Sequence, residues 1–115
     1  MTWSPKNGVE RDLLKLDRKE VPYMLAENYI SIAGELDDLL IPAGVAFMRC
    51  AGPYPEVELW DEDGQHPSPV GTYLAACTTF AVFFQESPEG CPYTADLDAD
   101  TAAKLRGIAA DLVWV

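Results

Sequence analysis

The most constraining feature of this chain is an uncharged stretch, residues 68–84, with the sequence SPVGTYLAACTTFAVFF. Acidic residues crowd both of its ends. Leaving its leucine, valine and phenylalanine side chains in water would cost roughly 1.5–3 kcal/mol for each large side chain. The stretch must therefore be a buried core element, and the rest of the chain has to fold around it.

Two interpretations of residues 68–84 are open from the sequence. Threonine and aromatic residues are frequent in the stretch, as they are in β-strands. Ser68 followed by Pro69 is instead typical of a helix N-cap and a first helical position. We favour the strand, because it would complete an antiparallel meander with predicted strands at residues 45–50 and 56–60 and would bury both of them.

Helices are predicted on both sides of this sheet. Apolar residues recur at helical spacing over residues 21–40, and a last helix begins near Asp98 or Asp100. A brief amphipathic helix is predicted at residues 9–16. Together these elements predict an α+β fold, a small antiparallel sheet of about three strands packed against N-terminal and C-terminal helices. The length predicts a single two-layer domain, residues 1–115.

Cysteine usage and hydropathy predict a cytoplasmic protein. Any disulfide scheme leaves one of Cys50, Cys77 and Cys91 unpaired, which favours a reducing compartment, although a Cys50–Cys91 bridge stays open. The first residues contain no apolar segment typical of a secretory signal. Residues 68–84 are short for a bilayer, include four serine or threonine residues and lack flanking lysine or arginine. We therefore predict no membrane segment.

The charge is distributed unevenly along the chain. The net charge is −11, and residues 1–19 hold five basic groups against three acidic ones. Residues 20–103 contain fifteen carboxylates and one cation, Arg49. The electrostatic field of these carboxylates attracts cationic partners. Nucleic acid is excluded as a partner, because the chain has no run of basic residues that could bind its phosphates. The charge distribution therefore predicts an acidic binding face on a protein that binds other proteins.

Metal and cofactor sites are not predicted. The spacing of Asp96, Asp98 and Asp100 imitates the start of a calcium loop, but Thr101 and Gly107 replace the glycine and glutamate that such a loop requires. One histidine and scattered cysteines cannot build a zinc site of ordinary spacing.

Catalysis is not predicted either. His66 is the only histidine and lies in a proline-flanked loop. A nucleophile pair of His66 with Cys91 or Cys50 is arithmetically possible, but nothing in the neighbouring sequence activates either thiol. We therefore interpret His66 as an exposed loop residue and expect no enzyme.

The strongest candidate for a binding site is residues 56–64, EVELWDEDG. As a strand, this segment would direct Val57 and Leu59 to the core, with its acidic residues and Trp60 on the solvent side. An aromatic anchor among charges is typical of an interface hot spot. The predicted partner-binding residues are Glu56, Glu58, Trp60, Asp61, Glu62, Asp63, Asp37 and Asp38.

These features predict a small acidic inhibitor that masks a basic surface of a partner protein. Its physical type is that of immunity proteins and phage anti-defence proteins, so the partner would be a toxin or a defence nuclease. One alternative is a structural or assembly module that acts as a homodimer through sheet edges or the aromatic run. The other is a small enzyme that uses His66 or a carboxylate pair.

Overall fold

The computed structural model describes residues 1–2 and 21–113, and in this part of the chain the fold is helical. The helices are α1 (Val21–Leu36), α2 (Ala43–Ala51), α3 (Pro69–Phe84) and α4 (Ala99–Leu112), with a 3₁₀ turn at Pro88–Gly90. Within these ranges there is no β-strand, only an isolated antiparallel bridge between Trp60 and Pro67. The predicted α+β fold with its three-stranded sheet is therefore wrong.

Helix α3 corresponds to the uncharged stretch, so the favoured strand interpretation is wrong and the helix interpretation is confirmed. Ser68 is the N-cap, and its hydroxyl accepts a hydrogen bond from the Gly71 N–H at 3.1 Å, with Pro69 in the first turn. Thr78 and Thr79 donate their hydroxyls to backbone carbonyls one turn earlier, at 2.9 and 2.8 Å. A helix satisfies its backbone internally, so the stretch needs no partner strands.

Helix α2 replaces the strand predicted at residues 45–50. Its buried residues include Ala43, Ala46, Phe47 and Cys50, which recur at helical rather than alternating spacing. Pro42 at the N-cap provides no side-chain hydrogen bond. The buried Thr2 does so instead, because the Gly44 N–H donates to its hydroxyl at 2.8 Å.

Helix α1 confirms the predicted helix but ends at Leu36 rather than at residue 40. Asp37 has a left-handed backbone, with φ of 55°. The Asp38 N–H donates to Ala33 O at 2.9 Å, and the Asp37 N–H donates to Gly34 O at 3.4 Å. This pattern is a Schellman motif, which closes the helix and turns the chain away. The helix predicted at residues 9–16 lies outside the described residues.

The core lies where α3 meets its neighbours. Helix α3 packs against α2 and α4, which also contact each other, whereas α1 contacts only α2 among the described helices. Phe47, Leu59, Leu74 and Leu105 are the largest apolar side chains that are fully buried there. Helix α4 begins after Asp98, whose carboxylate accepts a hydrogen bond from the Thr101 N–H, as the sequence predicts. Among the described residues, none of the helices has the length and apolar character needed to cross a membrane.

Candidate functional site

The candidate site is the acidic loop, residues 56–66, which leads from α2 to α3. The loop is not a strand, so its side chains do not alternate strictly between two sides. Leu59 and Trp60 are consecutive and both are buried, with Trp60 only 7% exposed. The Trp60 ring packs edge-on against Phe47, with a centroid distance of 5.4 Å and an interplanar angle of 75°. The expectation that Trp60 faces solvent is therefore wrong, because strict alternation requires extended backbone.

The backbone of the acidic loop is held at both of its ends. The Ser68 N–H donates to Leu59 O at 2.9 Å, and the Ser68 hydroxyl donates to Glu58 O at 2.6 Å. At the tip, the Asp61 N–H donates to His66 O at 2.8 Å, and the Gly64 N–H donates to Asp61 O at 2.9 Å. The N-cap of α3 thus also anchors the loop, so the loop is fixed relative to the core.

Asp63 shapes the tip of the loop. Its carboxylate accepts hydrogen bonds from the backbone N–H of Gln65 at 2.8 Å and of His66 at 3.0 Å. The His66 ring also forms a hydrogen bond with this carboxylate, with 2.5 Å between His66 Nδ1 and Asp63 Oδ2. The side-chain hydrogen bond with His66, followed by the two backbone hydrogen bonds, lowers the pKa of Asp63 to about 2. The same hydrogen bond, followed by the charge of Asp63, raises the pKa of His66.

The predicted acidic site residues are all exposed. The acidic loop contains Glu56, Glu58, Asp61, Glu62 and Asp63. Asp37 and Asp38 lie in a separate turn, the Schellman motif after α1, and the left-handed backbone of Asp37 gives that residue a conformational role as well. The structure therefore gathers five of the seven predicted carboxylates on one short loop and leaves two on another element.

The described residues carry far more negative than positive charge on their surface. They include fifteen carboxylates, every one exposed, and three cations, Arg49, Lys104 and Arg106. Lys104 Nζ lies over the Tyr54 ring, 4.9 Å from its centroid. Arg106 donates a hydrogen bond from a terminal nitrogen to the Tyr73 hydroxyl at 3.2 Å. Two of these three cations thus contact tyrosines and are held near the core elements.

An apolar groove of about 200 Å³ lies beside α3. Its lining residues are Tyr73, Ala76, Cys77, Phe80, Pro88, Cys91 and Tyr93. The Tyr73 hydroxyl donates to Tyr93 O at 2.6 Å and so ties the segment after the 3₁₀ turn to α3. The strand interpretation does not predict this groove. The helical spacing of Tyr73, Cys77 and Phe80 places all three on one face, where they line it.

The three cysteines are free thiols, and they lie in two different environments. Cys77 and Cys91 line the same groove, and Cys91 is exposed. Cys50 is buried in the core, where burial first and then the charge of Glu56 raise the pKa of its thiol to about 11. His66 lies in the acidic loop rather than among the residues that line the groove, so the structure does not place it with Cys91 there.

Across residues 1–2 and 21–113, no three His, Cys, Asp or Glu side chains are grouped as metal ligands would be. No protein-family model, curated protein sequence or solved structure matches this chain.

Proposed function

We propose that this protein is a small acidic inhibitor that covers a basic surface of a partner protein with its acidic loop. The observation that carries the proposal is the display of five exposed carboxylates on a backbone anchored by the buried Leu59 and Trp60. A partner that normally binds nucleic acid or nucleotides, such as a toxin or a defence nuclease, presents such a basic surface. Occupying that surface excludes its anionic ligand.

Preorganisation is the physical argument for this role. A loop whose backbone is already hydrogen-bonded loses little conformational entropy on binding, so more of the interaction energy remains as affinity. The carboxylates raise the association rate and set the choice of partner. Because Trp60 is buried rather than offered to the partner, charge contributes more of the contact, and salt should weaken the complex strongly.

The carboxylates of the acidic loop differ in their roles. Asp63 accepts three hydrogen bonds from its own loop, so its main effect is on the shape of the tip. The side chains of Glu56, Asp61 and Glu62 make none of the hydrogen bonds described above for this loop, and all three are exposed. We assign direct contact with the partner to these three residues.

We place this inhibitor in a reducing cytoplasm. The support for this compartment is the state of the cysteines, because all three are free thiols and Cys91 is exposed. An exposed thiol next to another cysteine persists most readily where glutathione keeps thiols reduced.

The experiment compares two triple variants with the same change in charge. The loop variant is Glu56→Lys, Asp61→Lys and Glu62→Lys, and the control is Glu86→Lys, Glu89→Lys and Asp111→Lys, at exposed positions outside the loop. Each is used to capture partners from a lysate of the native host at low and at high salt. We expect the loop variant to lose the main partner by more than tenfold and the control to retain it. Equal retention by both variants, with both folded by circular dichroism, would contradict the proposal.

A further inference from the structure

Helix α1 leaves a stripe of large apolar side chains in water. Tyr29, Ile32 and Leu36 follow one another at helical spacing on one face, and their exposed fractions are 42, 47 and 63%. Leu39, just beyond the helix, is 67% exposed. Among the helices in residues 21–113, α1 is covered only by α2. A run of this kind on a soluble domain marks an interaction surface. We call these four residues the α1 stripe.

The residues that border the α1 stripe toward the C-terminal end of the helix are acidic. Residues 21–48 contain Glu27, Glu35, Asp37 and Asp38 and no lysine, arginine or histidine. Glu35 follows Ile32 by three positions, so the two are neighbours on the helix surface. Asp37 and Asp38 are exposed in the turn between the helix and Leu39. The stripe therefore has negative charge along one edge and at one end.

We propose that the α1 stripe docks an amphipathic helix of the partner. This helix has apolar residues on one face and lysine or arginine on the other. The apolar side chains would cover Tyr29, Ile32, Leu36 and Leu39, and the cations would meet Glu35 and the acidic turn. This is the helix-on-apolar-face mode of peptide recognition, with the basic member on the partner. The inference rests on the proposed function, since it adds a second contact to the same cationic partner and specifies its chemistry.

The test uses a synthetic amphipathic helical peptide with leucine on one face and lysine on the other. A leucine–glutamate peptide keeps the apolar face and reverses the charge, and a serine–lysine peptide keeps the charge without the apolar face. Binding to the full chain is measured by fluorescence anisotropy at 0.15 M salt and located by amide chemical shifts. The variants are Ile32→Ser with Leu36→Ser, and Asp37→Asn with Asp38→Asn. Asparagine tolerates the left-handed backbone of position 37, so the second variant changes charge and retains the turn.

We expect the leucine–lysine peptide to bind with shifts in residues 25–40 and the two control peptides to bind at least tenfold more weakly. The double serine variant should weaken binding by more than tenfold. The double asparagine variant should weaken it by about threefold to tenfold and should reduce its dependence on salt. Equal binding of the leucine–glutamate peptide, or shifts confined to the groove or the acidic loop, would overturn the inference. A dimer in sedimentation that the double serine variant abolishes would overturn it as well.

The same variants separate this inference from the proposed function. In the lysate capture, loss of the partner with the triple loop variant but full retention with the double serine variant would reject the α1 stripe alone. Retention with both variants would reject the proposed function too. Loss with each of the two variants, together with binding of the leucine–lysine peptide at residues 25–40, supports one partner that contacts both surfaces.

Discussion

Gly71 of α3 lies directly against the carbonyl group of Leu59 in the acidic loop. A β-carbon at position 71 would be 2.0 Å from Leu59 O, 3.0 Å from its carbonyl carbon and 3.1 Å from the Phe47 ring. Helix and loop can pack this closely only because residue 71 has no side chain. This contact seats the acidic loop on the helix.

Replacing Gly71 by alanine should therefore destabilise the fold. The clash involves backbone atoms, which cannot move aside like a side chain, so we expect a loss of about 3 kcal/mol or more. The measurement is urea unfolding followed by circular dichroism. Gly34→Ala and Gly107→Ala are matched controls, because a β-carbon at either helical position meets no atom within 4 Å. Each should stabilise the protein by about 1 kcal/mol. A Gly71→Ala variant as stable as these controls would mean that helix and loop do not pack as described.

Trp60 should behave as a core residue and not as an interface anchor. It is 7% exposed and packs on the fully buried Phe47, so Trp60→Ala should cost about 3–5 kcal/mol in unfolding free energy. Tyr93→Ala is the comparison, because the Tyr93 side chain is largely exposed and its removal should change stability much less. The same urea titrations measure both variants. If Trp60→Ala keeps wild-type stability and loses only partner capture, the tryptophan is an anchor after all.

The His66–Asp63 pair gives a pH signature that nuclear magnetic resonance can follow on the single histidine. The pKa of His66 is raised above 6.5, so its contribution to the pair is complete below pH 6.5 and is lost as pH rises through the raised value. The pKa of Asp63 is lowered from 3.8 to about 2, so its contribution is complete above pH 3.8 and is lost as pH falls toward 2. The pair is therefore at its strongest between pH 3.8 and 6.5.

Asp63→Asn is the matched variant for this titration, since the amide oxygen still accepts hydrogen bonds but carries no charge. We expect the pKa of His66 to fall toward its ordinary value in the variant. An identical His66 titration in the wild type and in Asp63→Asn would show that the two side chains do not interact in solution.

Asp37 should respond to substitution according to backbone conformation. Its φ of 55° is the left-handed conformation that glycine adopts without cost. Asp37→Gly should therefore retain or raise stability, whereas Asp37→Val should lower the unfolding free energy by about 1–2 kcal/mol. Thermal unfolding of the two variants measures the difference. The opposite order of stabilities would indicate that α1 does not end in the Schellman motif.

The sequence predicts α1 and α4 because their signals are local. Both have apolar residues at helical spacing. The N-cap residue of α4, Asp98, is only three residues before Thr101, whose backbone N–H donates a hydrogen bond to its carboxylate. Helix α2 has no such signal, since its capping hydroxyl comes from Thr2, 42 residues away from Gly44. In residues 45–50, the apolar pattern fits strand and helix equally well. In α3 the capping signals of Ser68 and Pro69 are decisive, and the composition is misleading.

For the predicted site as well, the features with a local cause are predictable from the sequence and those that depend on tertiary packing are not. Carboxylates remain exposed whatever the secondary structure, so the exposure of Glu56, Glu58 and Asp61 to Asp63 is predictable from sequence. The prediction that Trp60 faces solvent depends on strand alternation, and it is wrong because the segment is not a strand. The helical spacing of the α1 stripe can be recognised in the sequence. Its exposure depends on which helices pack against α1, and the periodicity of the sequence does not predict that packing.

The placement of the thiols makes the chain ready for site-specific labelling without any engineered residue. Cys50 and Cys77 are buried, and burial raises the pKa of both, whereas Cys91 is exposed at the groove. Only a thiolate attacks a maleimide, so a stoichiometric dye should attach at Cys91. A fluorophore there would report on whatever approaches the groove, and energy transfer to a labelled partner would measure how that partner is oriented on this chain.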